Sequence, residues 1–177
     1  NLFTGCTSLQ SIELPENRNI RYQYFYGCVS LERCIIGNGC DTISKQAFYN
    51  CGALKEISIP DTVTTIESGA FGGTGISEFV YPPHVTAISG LGDMPRLTRV
   101  EIGENAVSVT GMGNSPLLKT LIIRTETPPS TDYWTLLNAP RIPDIYVPDN
   151  AVNAYKTSNG WRKWAAYIRP MSEIVES

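Results

Sequence analysis

The chain has 177 residues, with 14 basic and 17 acidic side chains and a formal charge of −3. That balance leaves no basic excess to recruit nucleic acid. The 42% apolar content excludes wholesale disorder, no apolar run approaches the roughly 18 residues of a membrane span, and a lone histidine, His84, excludes any mechanism needing two imidazoles.

Four segments nearly superpose along the first half: Phe3-Thr-Gly-Cys-Thr-Ser-Leu9, Phe25-Tyr-Gly-Cys-Val-Ser-Leu31, Phe48-Tyr-Asn-Cys-Gly-Ala-Leu54 and Phe71-Gly-Gly-Thr-Gly-Ile76. The fourth is one residue short. Each leads into apolar-polar-apolar alternation: Ile12-Glu13-Leu14, Cys34-Ile35-Ile36, Ile57-Ser58-Ile59 and Phe79-Val80-Tyr81. The pattern recurs with weaker letters from Leu91 to Ile102, Met112 to Ile123 and Leu136 to Val147, giving seven repeats spaced 20 to 24 residues apart. Chance does not explain agreement at every apolar site of every repeat.

Two residues after the Phe-like site stand Gly5, Gly27, Asn50, Gly73, Asp93, Asn114 and Asn138. Only types that tolerate positive φ appear, so a short helical turn is expected to end there in a left-handed residue. In the third repeat Ser44 is placed to cap that turn and Asn50 to end it. The next column (Cys6, Cys28, Cys51, Thr74, Met94, Ser115, Ala139) is mostly small, fitting a tight interior turn. Each unit is thus a helical turn, a loop and a strand of three to five residues, unable to bury its apolar face alone. Stacked, the units form a parallel sheet of about seven short strands joined by right-handed crossovers.

Between repeats six and seven, Arg124 to Trp134 is expected to be an extended excursion on the side away from the sheet. After the last strand, Asp149 or Asn150 can cap a short helix carrying Val152 and Tyr155. Trp161, Trp164, Ala165 and Ile168 then follow at helical spacing. A solenoid end exposes apolar sites unless covered, so residues 149–170 read as a C-terminal cap over a solenoid of residues 1–148, with 171–177 a frayed tail. A membrane-surface helix carrying Arg162, Lys163 and Arg169 is the alternative. The chain opens in mid-repeat with no visible N-terminal cap, which reads as a piece of a longer protein.

The strand half, Leu-x-x-Ile-x-Leu, resembles the leucine-rich repeat core. The whole unit, Ala-Phe-x-x-Cys-x-x-Leu-x-x-Ile-x-Ile-Pro followed by Val-Thr-x-Ile, resembles the BspA-like subclass; Ala47 to Pro60 with Val63 to Ile66 is its clearest copy. The segment from Tyr146 to Tyr155 followed by Gly160-Trp161 resembles the family's closing element. The resemblance implies a right-handed leucine-rich-repeat solenoid of the α/β horseshoe class, β-rich. It also implies a secreted or surface-attached bacterial protein of the Bacteroidetes type, adhesion and host-protein binding, and no catalytic residues. Repeats five and six depart from the pattern, with Gly-Leu-Gly-Asp-Met and Gly-Met-Gly-Asn-Ser in place of Ala-Phe-x-x-Cys.

Cys6, Cys28 and Cys51 share a column and Cys34 lies at a strand-core site, so a buried ladder of free thiols is expected, with Cys40 partly exposed. Neighbouring coils bring thiols within disulfide reach in principle. No close Cys or His spacing suits zinc, and no other metal or cofactor signature is present. His84 replaces a turn residue and reads as a solvated loop histidine. Glu56 and Glu78 stand one repeat apart in one column, a weak hint of paired carboxylates.

Alternate strand residues must point away from the core. The candidate binding face is therefore Arg33, Ile35, Glu56, Ser58, Glu78, Val80, Arg99, Glu101, Ile122 and Tyr146. Ile35, Val80, Ile122 and Tyr146 are apolar for a solvent face and ringed by charge, which suits an extracellular or host protein partner, although such residues also favour strands intrinsically. A second candidate is the Tyr22, Tyr24, Tyr26, Tyr49 group, where Tyr26 and Tyr49 share a column. The leading expectation is a non-enzymatic recognition module. The alternatives are a structural spacer of a longer surface protein, and carbohydrate binding through the tyrosines.

Overall fold

The computed structural model describes residues 2–132, 135–136 and 139–175. Asn138 of the left-handed column, Trp134 at the end of the excursion and residues 176–177 of the tail lie outside them. In chain order the strands are β1 (Ser11–Glu13), β2 (Arg33–Ile35), β3 (Thr42–Ile43), β4 (Glu56–Ser58), β5 (Thr65–Ile66), β6 (Glu78–Val80), β7 (Ala87–Ile88), β8 (Arg99–Ile102), β9 (Ser108–Val109), β10 (Thr120–Ile123), β11 (Ser130–Thr131), β12 (Asp144–Val147) and β13 (Ile168–Pro170). All pairings are parallel. The chain is a parallel-strand solenoid, as the repeat predicts.

Five of the coils contribute two strands rather than one. The longer strands form the predicted face. The two-residue strands β3, β5, β7, β9 and β11 form a second row, begun by a bridge between Ile20 and Ile43. They carry the Val-Thr-x-Ile half of the repeat. The excursion after Arg124 rejoins this row, because Ser130–Thr131 pairs with β9.

The side opposite the strands resolves into hydrogen-bonded turns rather than helix. Alternate amides bond in different directions there. The N–H groups of Tyr24, Tyr26 and Cys28 donate three residues back, to Arg21, Gln23 and Phe25. Those of Gln23, Phe25 and Gly27 donate to the next coil, to Lys45, Ala47 and Tyr49. An α-helix needs every amide on its own chain, so stacking displaces it. The same alternation recurs from Ala47 to Cys51, and Ser44 accepts from Ala47 as a turn residue, not a helix cap. Positive φ holds at Gly5, Gly27, Asn50, Gly73, Asp93 and Asn114, as the column predicts, and also at Gln23, Gln46 and Gly69 one turn earlier.

The core lies between the strand rows and the turns. Phe3, Phe25, Phe48 and Phe71 stack ring on ring, with centroids 5.2, 5.0 and 5.5 Å apart. Leu31, Leu54, Leu97, Leu118 and their strand partners fill the rest. Cys28 and Cys51 each donate a thiol hydrogen bond to the carbonyl of the Phe one coil back, at 2.9 and 3.0 Å. The small column therefore also satisfies buried carbonyls.

The C-terminal element is α1 (Val152–Thr157) between two 3-10 turns, Asp149–Ala151 and Arg162–Tyr167. The expected helical run through Ile168 is not made: Trp164 leaves helical geometry, and Ile168 starts β13, in register with Ile145 of β12. Trp161, Trp164 and Tyr155 cluster edge to face beneath it. Met171–Glu173 form a further 3-10 turn, where the Ser172 amide donates to Asp149.

Candidate functional site

The strand register sets the outward residues in two rows. One holds Ser11, Arg33, Glu56, Glu78, Arg99, Thr120 and Asp144; the other holds Glu13, Ile35, Ser58, Val80, Glu101, Ile122 and Tyr146. All ten sequence-predicted residues lie on this one face. They do not all lie on one continuous sheet.

The face is divided into β1-β2-β4 and β6-β8-β10-β12-β13, and the short row divides at the same junction, into β3-β5 and β7-β9-β11. Among the described residues no backbone hydrogen bond joins 54–66 to 76–88. The turn side stays closed, with Phe48 N–H on Ala70 and Asn50 N–H on Gly72. On the strand side the Ser89 hydroxyl reaches Ile66 O at 2.6 Å.

Two sequence features account for the break. The fourth repeat lacks one residue, and Gly75 packs close against the preceding coil, where a Cβ would stand 2.8 Å from Gly52 O. The strand then carries Phe79 and Tyr81 where other coils carry smaller core residues; these rings pack on each other, and Phe79 packs on Phe71. The Tyr81 hydroxyl donates to Ser89 O.

Glu56 and Ser58 thus lie on one lip of the break, with Arg33 and Ile35 one strand behind them, and Glu78 and Val80 on the other. Ile57 and Ile59, core residues by pattern, are only half-buried there, whereas their equivalents Cys34 and Ile36 are buried. Val80 is 60% exposed. Arg33 and Glu56 stand 3.7 Å apart in open solvent, a pair worth little. Glu56 and Glu78 face each other only across the break.

Beyond the break the face is polar and clamped. Arg99 and Arg124 both reach Glu101, at 2.9 and 2.6 Å. Partial burial alone would raise the Glu101 pKa, but the hydrogen bonds from Arg124 and Arg99 outweigh it and hold the carboxyl below its usual range. Arg169 of β13 binds Asp144 at 2.9 Å. Arg124 and Arg169 were not among the predicted binding residues: Arg124 stands just past the end of β10, and Arg169, in register with Tyr146, lies in a segment whose spacing reads as helix.

One predicted residue is corrected. Ile122 is 1% exposed and offers no surface. The register sets it between Glu101 and Tyr146, beside the converging arginines. The tyrosines likewise pack along the ladder, Tyr26 on Tyr49 at 5.7 Å, while Tyr22 stays exposed.

The five cysteines are free thiols. Cys40 is buried, not partly exposed, and only Cys6 is accessible in part. Burial pushes the Cys34 and Cys51 thiols up to about 12. A thiol reagent at neutral pH should modify Cys6 in the folded chain and the other four only on unfolding. Because unfolded thiols ionise near about 8.5, the folded state binds more protons above that pH. Stability should therefore be intact below about pH 8.5 and fall as pH rises toward 12. Chemical denaturation at stepped pH checks this; a flat profile would contradict it.

His84 is exposed in the turn between β6 and β7. Among the described residues no three His, Cys, Asp or Glu side chains gather as metal ligands, and no helix is long and apolar enough to cross a membrane.

Comparison with known sequences gives one family: a model of the BspA type leucine-rich repeat region matches residues 1–91 in six copies. No curated protein matches. Among solved structures, a leucine-rich repeat protein from Bacteroides ovatus superposes with a TM-score of 0.62 at 23% identity. That likeness is one of fold. It covers 84% of this chain and 42% of the other, so the chain spans less than half of that structure's length.

Proposed function

We propose, from the premise that the chain belongs to the BspA-type leucine-rich repeat family, that it is a recognition module without catalytic activity, binding a protein partner through its sheet face at a bacterial cell surface. The observation that carries this reading is the apolar surface formed by Val80 with half-buried Ile57 and Ile59 at the lips of the break and half-buried Ile35 one strand behind. Apolar surface rimmed by Arg33, Glu56 and Glu78 has the makeup of a partner-binding patch. Tyr146 extends the same row at the far end.

The test is binding of the chain to a panel of extracellular matrix and serum proteins, beside Ile35→Lys/Val80→Lys. Both residues face outward, so the variant should melt with the parent. Saturable binding that the variant weakens by about tenfold or more is expected, the range of interface anchors. Binding that survives unchanged would place the site elsewhere and contradict the proposal. Binding to none of the panel would favour the spacer reading.

A further inference from the structure

We infer that the break between β4 and β6 is a slot for an extended segment of the partner protein, held main chain to main chain along the open edge of β6. This deepens the sheet-face reading and rests on it.

In a parallel ladder alternate residues turn their amides to alternate neighbours. On β6, Ser77 O accepts from Arg99 N–H and Tyr81 N–H donates to Glu101 O, so residues 77, 79 and 81 turn to β8. Glu78 and Val80 then turn their N–H and C=O groups to β4. On β4, Glu56 N–H donates to Glu32 O and Ser58 O accepts from Ile36 N–H, which leaves Ile57 turned to β6. Among the described residues none of these groups of Ile57, Glu78 and Val80 has a backbone partner across the junction. Exposed strand edges of this kind recruit extended chains.

The surroundings select the occupant further. Two recesses flank the junction and share Ile57, Ser58 and Glu78. One, of about 400 Å³, adds Arg33, Ile35 and Lys55. The other, of about 470 Å³, adds Ile59, Asp61 and Val80. The second carries the carboxylates of Asp61 and Glu78 and no basic side chain. An extended peptide places alternate side chains on one face. The fitting sequence therefore has an apolar residue over Ile57 and Val80, a lysine or arginine at alternate spacing toward Asp61, and no proline between them.

The experiment selects a phage-displayed library of random linear peptides of about 12 residues on the whole chain. Selected peptides are then synthesised with single N-methylated amides along their length. The expected result is an apolar-x-basic motif and loss of about tenfold or more in affinity when alternate amides are methylated, with the intervening ones tolerated. Asp61→Lys should weaken the same peptides, and Glu78 and Val80 amides should gain hydrogen-exchange protection on binding. No enriched motif, indifference to methylation in both registers, or protection elsewhere would each overturn the slot. Self-association of the free chain that protects the same amides would make a second copy the occupant and overturn it too. Failure here with panel binding still lost in Ile35→Lys/Val80→Lys would leave sheet-face recognition standing; failure of both would remove it as well.

Discussion

Trp161→Ala should destabilise the chain by about 3–5 kcal/mol, the range for deleting a buried large aromatic. The indole is fully buried. Its edge meets Tyr155 and Trp164, each at 5.5 Å between centroids, and its N–H donates to Pro129 O at 2.7 Å. Removing the ring empties the space between α1, the 162–167 turn and the segment that carries β11. It also orphans a buried carbonyl. The neighbouring Tyr155 hydroxyl, which donates to Thr125 O at 3.0 Å, would lose its support. Repeat solenoids are stabilised coil by coil and depend on covered ends, so the loss should spread into β12 and β13. Trp161→Phe separates the two contributions. It keeps most of the packing and leaves Pro129 O unbonded, for a loss of about 1–3 kcal/mol. Urea unfolding followed by far-UV circular dichroism reads both. A loss under about 1 kcal/mol for the alanine variant would show that this segment does not act as a cap.

Phe48→Ala should cost about 3–5 kcal/mol as well, while Phe3→Ala should cost distinctly less. Both belong to the same ring stack. Phe48 has a ring on each side, Phe25 at 5.0 Å and Phe71 at 5.5 Å, and is fully buried. Phe3 has its stacking partner on one side and is half-buried. The Phe25→Ala/Phe48→Ala double variant should show a coupling of about 0.5–1.5 kcal/mol, the added worth of an aromatic pair. Equal losses at Phe3 and Phe48 would mean that the stack contributes only local area, not continuity between coils.

What the sequence conveyed follows from period. Columns that repeat every 20 to 24 residues fix which residues stack, so the Phe ladder, the Tyr26–Tyr49 pair and the left-handed residues were all legible. The second strand row was not. Two residues, as in Thr65–Ile66, are too few to show alternation, and their pairing is decided by the coils above and below. Ile168 was misplaced for a related reason: its spacing from Trp161 and Trp164 suits a helix, and only the register with Ile145 makes it a strand. Ile122 followed the outward column correctly, yet it is buried, because burial depends on how neighbouring side chains fold over the face, which a column does not encode.

The break is the most instructive case. The missing residue before Ile76 was visible as a short fourth repeat, and Phe79 and Tyr81 were visible as large letters in small columns. Neither alone announces an open junction. Both stand at the junction, Gly75 packed close on the preceding coil and the Phe79 and Tyr81 rings packed on each other in the strand that follows. Of the ten predicted binding residues, Glu56, Ser58, Glu78 and Val80 stand on the strands that border this opening, and Arg99, Glu101, Ile122 and Tyr146 lie beyond it.

Residue-resolved amide hydrogen exchange on the free chain tests that opening directly. The amides of Glu101 and Ile122, internal to the five-stranded sheet, should exchange slowly, near the rate set by global unfolding. Those of Ile57, Glu78 and Val80 should exchange faster by about a hundredfold or more, since no ladder protects them. Slow exchange at all five positions would mean that β4 and β6 are joined in solution, and would contradict the account.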